Sequence, residues 1–169
     1  IIGGGIAGIS AALDLADILQ RYDGAAAPPP GLTRDDVAYI TYTSGTTGPA
    51  KGAMNTHGNV SFAATAFVTA YGVTGDDRVL AMPPFIHVTG SICLLAVATL
   101  VGAPVIACFR FEAGEILRLV EKWRATYTNG PLTAYIALLN HPSIHERDLS
   151  SLTKVLSGGA PVAPRVARE

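Results

Sequence analysis

The sequence predicts an α/β fold in which a mostly parallel sheet is flanked by helices. From about residue 35 onward, segments rich in β-branched and aromatic residues alternate with helical segments. Glycine and proline turns separate these segments, and one of the helical ones is clearly amphipathic. The chain has 169 residues, 49% hydrophobic and 15% charged, so it can form one sizeable core.

The first elements follow a proline-rich stretch. Residues 37–43, VAYITYT, have the β-branched and aromatic content of a strand. A helix is predicted over 60–70, with Asn59 as its N-cap and Gly72 at its end. The segment RVLAMPP, residues 78–84, then predicts a strand that ends at two prolines.

Residues 91–109 form an uncharged run that is nearly long enough to cross a bilayer. Gly102 and Pro104 interrupt the run, and its last six residues, PVIACF, are typical of a strand. We therefore expect a buried helix that begins at Gly90, then a turn, then a buried strand over 104–109. No membrane span is predicted.

The remaining segments continue the alternation. Residues 112–125 place apolar side chains among charges in the pattern of an amphipathic helix. A short strand and turn follow at 127–131, and a helix at 133–141. Residues 152–161 then predict a strand that runs into a glycine turn. Strands that alternate with helices in this way favour a parallel sheet.

The charge balance and the cysteines exclude several classes of function. Twelve Lys and Arg against thirteen Asp and Glu give a net charge of -1, so we expect no nucleic-acid partner. Cys93 and Cys108 lie in apolar runs without a disulfide or metal pattern, which favours a cytoplasmic location. Pro142 separates His141 from His145 and opposes a regular helix, so no metal site is predicted.

The chemistry is concentrated in residues 42–52, YTSGTTGPAKG. Gly45 and Gly48 allow backbone dihedrals in which successive N–H groups converge on an anion. Hydroxyl donors and one cation complete the set: Ser44, Thr46, Thr47 and Lys51. The segment is not a Walker A loop, because Ala50 precedes the lysine and Gly52 follows it. It predicts an exposed phosphate-binding loop between two strands; the alternative is a flexible linker.

This segment resembles the signature phosphate loop of the adenylate-forming (AMP-binding) superfamily. That superfamily includes acyl-CoA synthetases, aryl-CoA ligases, luciferases and peptide-synthetase adenylation domains. The resemblance implies that the β- and γ-phosphates of ATP are bound by Thr43, Ser44, Gly45, Thr46, Thr47, Gly48 and Lys51. Ala50 replaces the proline that usually precedes the lysine, and Pro49 lies one position earlier, which should alter the stiffness of the loop more than its charge.

A second motif, PFIHVTG at residues 84–90, resembles the aromatic-histidine motif of the same superfamily. The resemblance places His87 beside the carboxylate and acyl pocket, and it gives Ile86 the gate position, with Phe85 one step earlier. Adenylation domains for amino acids typically carry an aspartate near this position to pair with the α-ammonium. A histidine supplies no negative charge, so a fatty, aryl or other simple carboxylic acid is expected.

A third motif, SGGAP at residues 157–161, resembles the glycine-rich turn that lines the adenine face and the floor of the acyl pocket. The resemblance gives that role to Gly158, Gly159, Ala160 and Pro161. About seventy residues separate this turn from His87 along the chain. We therefore expect the fold to bring the two motifs together.

The first residues carry a different pattern. Gly3, Gly5 and Gly8 in IIGGGIAGISAALDLA resemble the dinucleotide fingerprint of flavin-dependent oxidoreductases. No second strand with an acidic end follows, so we do not expect FAD or NAD to bind. The expected domain organisation has three parts: a glycine-fingerprint segment at 1–17, a Pro-rich linker at 18–34 and a partial AMP-binding domain at 35–169.

The resemblance implies an ATP- and Mg²⁺-dependent ligase that turns a carboxylic acid into an acyl-adenylate and then, with coenzyme A, into a thioester. The superfamily's ribose-binding aspartate and C-terminal catalytic lysine have no counterpart among the 169 residues. We therefore expect no catalytic residue and little turnover from this chain alone; supply of the missing parts by another chain is left open. Two alternatives stay open: a dinucleotide-binding oxidoreductase piece, and a non-catalytic nucleotide-binding remnant.

Overall fold

The computed structural model describes residues 31–43 and 51–158. The chain divides after Leu32, and the elements below all belong to the second unit, Thr33–Glu169. They comprise a β-hairpin followed by helices that alternate with the strands of a parallel sheet. The predicted fold class is therefore confirmed, with the hairpin as an antiparallel addition.

The hairpin consists of β1 (Val37–Thr43) and β2 (Lys51–Thr56). The two strands pair antiparallel, and the last residue of β1, Thr43, lies opposite the first residue of β2, Lys51. They form a two-stranded sheet of their own. The strand predicted at 37–43 is confirmed, and it pairs with β2, the next described strand along the chain.

The main sheet has four parallel strands: β3 (Val79–Ala81), β4 (Val105–Ala107), β5 (Tyr127–Gly130) and β6 (Lys154–Ser157). Their order across the sheet is β4-β3-β5-β6. All four lie within segments for which the sequence predicts strands. Parallel strands have their carboxyl ends at one edge of the sheet, and that edge positions the site described below.

Helices cover both faces of this sheet. In chain order they are α1 (His57–Tyr71), α2 (Val88–Gly90), a π-helical segment (Ser91–Ala96), α3 (Val97–Val101), α4 (Ala113–Trp123), α5 (Leu132–Leu139) and a short 3-10 helix (Pro142–Glu146). Among residues 31–43 and 51–158, no helix is both long enough and apolar enough to cross a membrane.

Helix α1 begins earlier than the sequence predicts. Its N-cap is Thr56, whose Oγ1 accepts a hydrogen bond from the backbone N–H of Asn59 at 3.1 Å. The prediction of Asn59 as the cap is wrong, because Thr56 ends β2 in an extended conformation and already satisfies that N–H group. The predicted end is confirmed: Gly72 is left-handed, with φ of 59°.

The uncharged run at 91–109 contains the predicted helix, turn and strand. The helix begins at Val88, two residues before the predicted Gly90. The prediction of a buried strand is wrong: Val105 and Ile106 are half-buried and Ala107 is exposed, because β4 lies at the end of the described strand order. The helical stretch extends from Val88 through the π-helical segment and ends at Gly102, which is left-handed with φ of 72°. Within the π-helical segment the carbonyl of Cys93 accepts a hydrogen bond from the Tyr127 hydroxyl at 2.8 Å. Burial raises the pKa of Tyr127, so the hydroxyl stays protonated and can donate.

Two hydrophobic clusters lie on opposite faces of the sheet. Alternation along β3 sends Val79 and Ala81 into one cluster and Leu80 into the other, which also holds Met82 just beyond the strand. The first cluster also contains Ala64, Val73, Leu94, Val97, Ala98, Tyr127 and Leu156. The second also contains Ile116, Leu117, Leu119, Val120, Ala125 and Leu138. Burial on both faces is typical of a central parallel strand.

A charged cluster closes the amino edge of the sheet. The Asp77 carboxylate accepts hydrogen bonds from Lys154 Nζ at 2.7 Å, from the Thr126 hydroxyl at 2.7 Å and from the Thr74 backbone N–H at 2.8 Å. Lys154 Nζ also donates to the Gly72 carbonyl at 2.7 Å. Burial alone would raise the pKa of Asp77, but these hydrogen bonds outweigh it and hold the pKa below its ordinary value of 3.8.

We expect Asp77→Asn to destabilise the chain by about 2–3 kcal/mol at neutral pH, because it leaves Lys154 without its carboxylate partner. Because the pKa of Asp77 is lower in the folded chain than its ordinary value, its carboxylate stabilises the fold at pH values above that ordinary pKa. This stabilisation is lost as the pH falls through the folded pKa. The free energy of unfolding of the wild-type chain should therefore decrease below about pH 4. In Asp77→Asn it should decrease less over the same pH range.

Urea unfolding from pH 2.5 to 7 would measure this difference. Asp76→Asn is the matched control, since Asp76 is the exposed neighbour and loses the same charge. Equal stability losses for the two variants at pH 7 would contradict the structural role of Asp77.

Candidate functional site

The carboxyl edge of the parallel sheet borders a cavity of about 790 Å³. Its wall includes the residues that follow three of the strands: Met82, Pro83 and Pro84 after β3, Pro131 after β5 and Gly158 after β6. Open α/β sheets bind ligands outside the carboxyl ends of their strands. The cavity therefore lies where this architecture favours a binding site.

Three further segments complete the described wall. Thr41 and Tyr42 come from the end of β1, and Ile86, His87 and Thr89 come from the segment that enters α2. Phe111, Thr133 and Ala134 also line the cavity. The fold thus brings His87 and Gly158 to one cavity, although they are far apart in the sequence, and it adds the end of the hairpin.

His87 has a fixed orientation at the start of α2. It is the N-cap residue, and its Nδ1 accepts the backbone N–H of Thr89 at 3.2 Å. The same nitrogen lies 3.1 Å from the Thr89 hydroxyl. A neutral imidazole that accepts at Nδ1 carries its proton on Nε2. The other side of the ring is therefore an N–H donor, which suits a carboxylate or carbonyl oxygen.

The close approach of Gly90 to the preceding segment holds this turn together. A Cβ at position 90 would lie 2.3 Å from the Pro84 carbonyl oxygen, a backbone atom that cannot move aside without shifting the turn. The N–H of His87 donates to the same carbonyl at 3.0 Å. Only glycine allows helix α2 to begin this close to the two prolines, so Gly90 sets the position of His87.

Ile86 and its neighbour Phe85 take opposite roles. Ile86 lines the cavity and is 86% exposed, whereas Phe85 packs against the first hydrophobic cluster. Of these two side chains, only Ile86 lines the cavity. Its assignment as a gate stays a prediction.

The predicted phosphate loop is flanked by the ends of the hairpin. Thr43 and Lys51 are paired across the hairpin, and the seven residues 44–50 connect them. Tight hairpins need only two to five loop residues, so this connection is longer than the turn itself requires. Ser44, Gly45, Thr46, Thr47 and Gly48 lie outside the described residues, and their role stays a prediction.

Other predicted residues also lie outside the described ranges. These are Gly159, Ala160 and Pro161 of the third motif, and Gly3, Gly5 and Gly8 of the dinucleotide pattern. Gly158, the last described residue of the chain, is exposed and lines the cavity.

The electrostatics of the cavity are neutral. None of its described lining residues is Asp, Glu, Lys or Arg. Burial raises the pKa of Cys93 and Cys108, so these thiols stay protonated and are poor nucleophiles. Across residues 31–43 and 51–158, no group of three or more His, Cys, Asp or Glu side chains could hold a metal ion.

The sequence motifs identify only part of this wall. They include Ile86, His87 and Gly158, but Phe111, Thr133 and Ala134 come from segments without a recognisable pattern. The rule that ligands bind at strand carboxyl ends would have pointed to Pro83 and Pro131, because each follows a predicted strand. Residues on a helix or a long loop give no such signal.

Comparison with known proteins supports this description of the chain. The family model described as "AMP-binding enzyme" matches residues 8–169. That match begins at residue 8, inside the segment 1–17 that the sequence analysis sets apart from the AMP-binding domain. The division into 1–17, 18–34 and 35–169 stays a prediction.

Relatives of known activity share substantial sequence identity with the chain. A feruloyl-CoA synthase from Amycolatopsis sp. is 40% identical over 149 residues, which cover 86% of this chain and 30% of the relative. A long-chain-fatty-acid–CoA ligase from Bacillus subtilis is 37% identical over 137 residues, covering 79% of this chain and 24% of the relative. The chain spans about a quarter to a third of the length of the curated relatives it matches.

Solved structures show the same fold. The inhibitor-bound N-terminal domain of FACL13 from Mycobacterium tuberculosis matches 90% of this chain and 39% of its own, with a TM-score of 0.77 and 27% identity. ATP-bound MatB from Rhodopseudomonas palustris matches 80% of this chain and 27% of its own, with a TM-score of 0.71 and 32% identity. With the family match over residues 8–169, these likenesses show that the chain belongs to the AMP-binding enzyme family.

Proposed function

We propose that this chain forms the phosphate-loop and acyl-pocket part of an enzyme that activates a carboxylic acid with ATP and transfers the acyl group to coenzyme A. One observation carries the proposal above the others. The end of the hairpin next to residues 44–50, the segment containing His87, and Gly158 all border one cavity. A reaction between a nucleotide and an acid needs these parts side by side.

The hairpin supports the nucleotide half of the proposal. The loop between Thr43 and Lys51 offers glycines, hydroxyls and a cation, which are the groups that bind phosphate oxygens. Thr41 and Tyr42, just before the loop, already line the cavity. An ATP held by the loop would therefore have its phosphates at the mouth of the cavity.

The cavity supports the proposed binding of a carboxylic acid. A carboxylate at the mouth can accept the Nε2–H of His87, while the neutral wall receives an uncharged acyl body. The matched relatives act on such acids by their names, a feruloyl-CoA synthase and a long-chain-fatty-acid–CoA ligase. We infer that the substrate here is likewise a fatty, aryl or similar simple acid.

The reaction follows from these placements. One carboxylate oxygen attacks the α-phosphorus of ATP, the bond to the β-phosphate breaks, and pyrophosphate leaves with its electron pair. The thiolate of coenzyme A then attacks the acyl carbonyl, and AMP leaves. His87 would orient the carboxylate, and the loop residues with Lys51 would bind the departing pyrophosphate.

Mg²⁺ would enter with the nucleotide. Phosphate oxygens are hard ligands of the kind that Mg²⁺ prefers, so the nucleotide itself would supply ligands for the ion. Other segments of the enzyme, or another chain, would supply the parts of the reaction that need a further domain.

We expect Lys51→Ala to weaken ATP binding by about ten- to a hundredfold, because it removes a charge-assisted contact to phosphate. Isothermal titration with Mg-ATP would measure the change. Lys122→Ala is the matched control, since Lys122 lies on α4 and stacks on Trp123 at 4.9 Å from the ring centroid. Equal affinities of the wild type and Lys51→Ala for Mg-ATP would contradict the role of Lys51 in phosphate binding.

The dinucleotide alternative is tested by the same titration with NAD and FAD. We expect neither to bind at concentrations at which ATP does. Tighter binding of FAD or NAD than of ATP would favour the oxidoreductase alternative over the ligase proposal.

We expect His87→Ala to weaken binding of a simple carboxylic acid by about tenfold, because one hydrogen bond to the carboxylate is lost. ATP binding should change little. Saturation-transfer NMR would measure the affinity of each variant for octanoate. His145→Ala is the control, because His145 is exposed on the short 3-10 helix. A loss of octanoate binding in both variants, or in neither, would contradict the role of His87.

A further inference from the structure

The helical stretch that borders the cavity departs from α-helical geometry in its middle, over Ser91–Ala96. The N–H of Val97, the next residue, bonds the carbonyls of Ile92 and Leu94, five and three residues back. In an α-helix the same N–H would bond the carbonyl of Cys93, four residues back. A bond to the fifth residue back encloses one residue more than an α-helical turn does. Such π-helical turns are rare and occur frequently at functional sites.

The Cys93 carbonyl is taken by a side chain from the sheet. The hydroxyl of Tyr127 donates to it at 2.8 Å, so Tyr127 occupies the acceptor that an α-helix would give to Val97. Tyr127 is fully buried in the first hydrophobic cluster, and its strand, β5, pairs with β3 and β6 at this residue. The sheet therefore fixes the position of the hydroxyl. Insertion of a side chain into the helical hydrogen-bond ladder is one of the causes of helix distortion.

The π-helical segment leads directly to His87. Its first residue, Ser91, donates to the His87 carbonyl from its backbone N–H at 3.0 Å and from its hydroxyl at 3.2 Å. The turn from Pro84 to Gly90 is rigid in itself, because Gly90 lies directly against the Pro84 carbonyl. A change in the hydrogen-bond pattern of the segment would therefore move His87 together with this turn.

The loss of the extra residue from the helical turn would rotate one end of the helix against the other. Each residue of an α-helix adds roughly 100° of rotation and about 1.5 Å of rise. The end at α3 is held in the core, since Val97 and Ala98 are buried in the first cluster, whereas His87 at the other end is exposed. The rotation would therefore fall on His87 and turn its imidazole away from the cavity.

We propose that Tyr127 is a positioning residue, which keeps the π-helical turn by holding the Cys93 carbonyl and thereby orients His87 toward the cavity. The consequence for acid binding rests on the proposed function, whereas the effect on the orientation of His87 does not. Without the Tyr127 hydroxyl, the Val97 N–H should bond the Cys93 carbonyl, and the segment should become α-helical.

The test uses the 169-residue chain labelled with ¹³C in its histidine rings, and His87→Gln assigns the His87 signal. Tyr127→Phe should shift that signal and weaken octanoate binding by up to about tenfold, the loss expected for His87→Ala. Tyr135→Phe is the matched control, because the Tyr135 hydroxyl also donates to a backbone carbonyl, that of Leu156, outside the helix that carries His87. It should leave the His87 signal and the octanoate affinity unchanged.

Two double variants separate positioning from a general loss of packing. In a His87→Ala background, Tyr127→Phe should weaken octanoate binding no further, because the tyrosine acts through His87. Deletion of Leu95, which is 41% exposed, removes the extra residue from the segment. In a Tyr127→Phe background this deletion should restore the octanoate affinity of the wild type. Thermal unfolding identifies any variant that fails to fold, and if Tyr127→Phe fails, the variant that also lacks Leu95 should fold and bind octanoate.

An unchanged His87 signal in folded Tyr127→Phe would overturn the inference, as would an equal shift in Tyr135→Phe. A further loss of octanoate affinity in the double variant with His87→Ala, or no recovery when Leu95 is deleted, would also contradict it. A His87 signal that shifts only in Tyr127→Phe, in a chain that does not bind octanoate, would refute the proposed acid binding and leave the positioning role of Tyr127 standing.

Discussion

The position of the site depends on the parallel pairing of β3 with β4 and β5, because that pairing sets both the core and the cavity. Side chains along β3 alternate between two buried clusters, with Val79 and Ala81 on one face and Leu80 and Met82 on the other. A one-residue slip would exchange the two faces and move Met82 away from the cavity. The register that buries the core therefore also places Met82 beside the cavity.

The two edges of the sheet are built differently. At the amino edge, side-chain hydrogen bonds connect Asp77, which precedes β3, with Thr126, which precedes β5, and with Lys154, which begins β6. Charged hydrogen bonds thus fix the strands where no ligand is needed. At the carboxyl edge the chain uses prolines, glycines and a histidine, and leaves a cavity. This division leaves one edge to stability and the other to the proposed binding site.

The sequence predicts the secondary structure well because its signals are local. Gly72 and Gly102 end helices where their left-handed conformation requires glycine, and the alternation of strands and helices indicates a parallel sheet. The start of α1 was missed because Thr56 serves both as the end of a strand and as a cap. The cavity is harder to predict, because Phe111 and Ala134 reach it only through tertiary packing. Motif resemblance indicates Ile86, His87 and Gly158, and the structure adds the lining residues that lie outside the motifs.

The most direct test of a single site at the carboxyl edge is the methyl NMR spectrum of the chain labelled with ¹³C-methyl methionine. The chain has two methionines: Met82 lines the cavity, and Met54 is 68% exposed on the hairpin. Met54→Leu would assign the two signals. With Mg-ATP present, addition of decanoate should shift the Met82 methyl signal and leave that of Met54 in place. A shift of Met54 alone, or no shift of Met82 at saturating decanoate, would contradict the account.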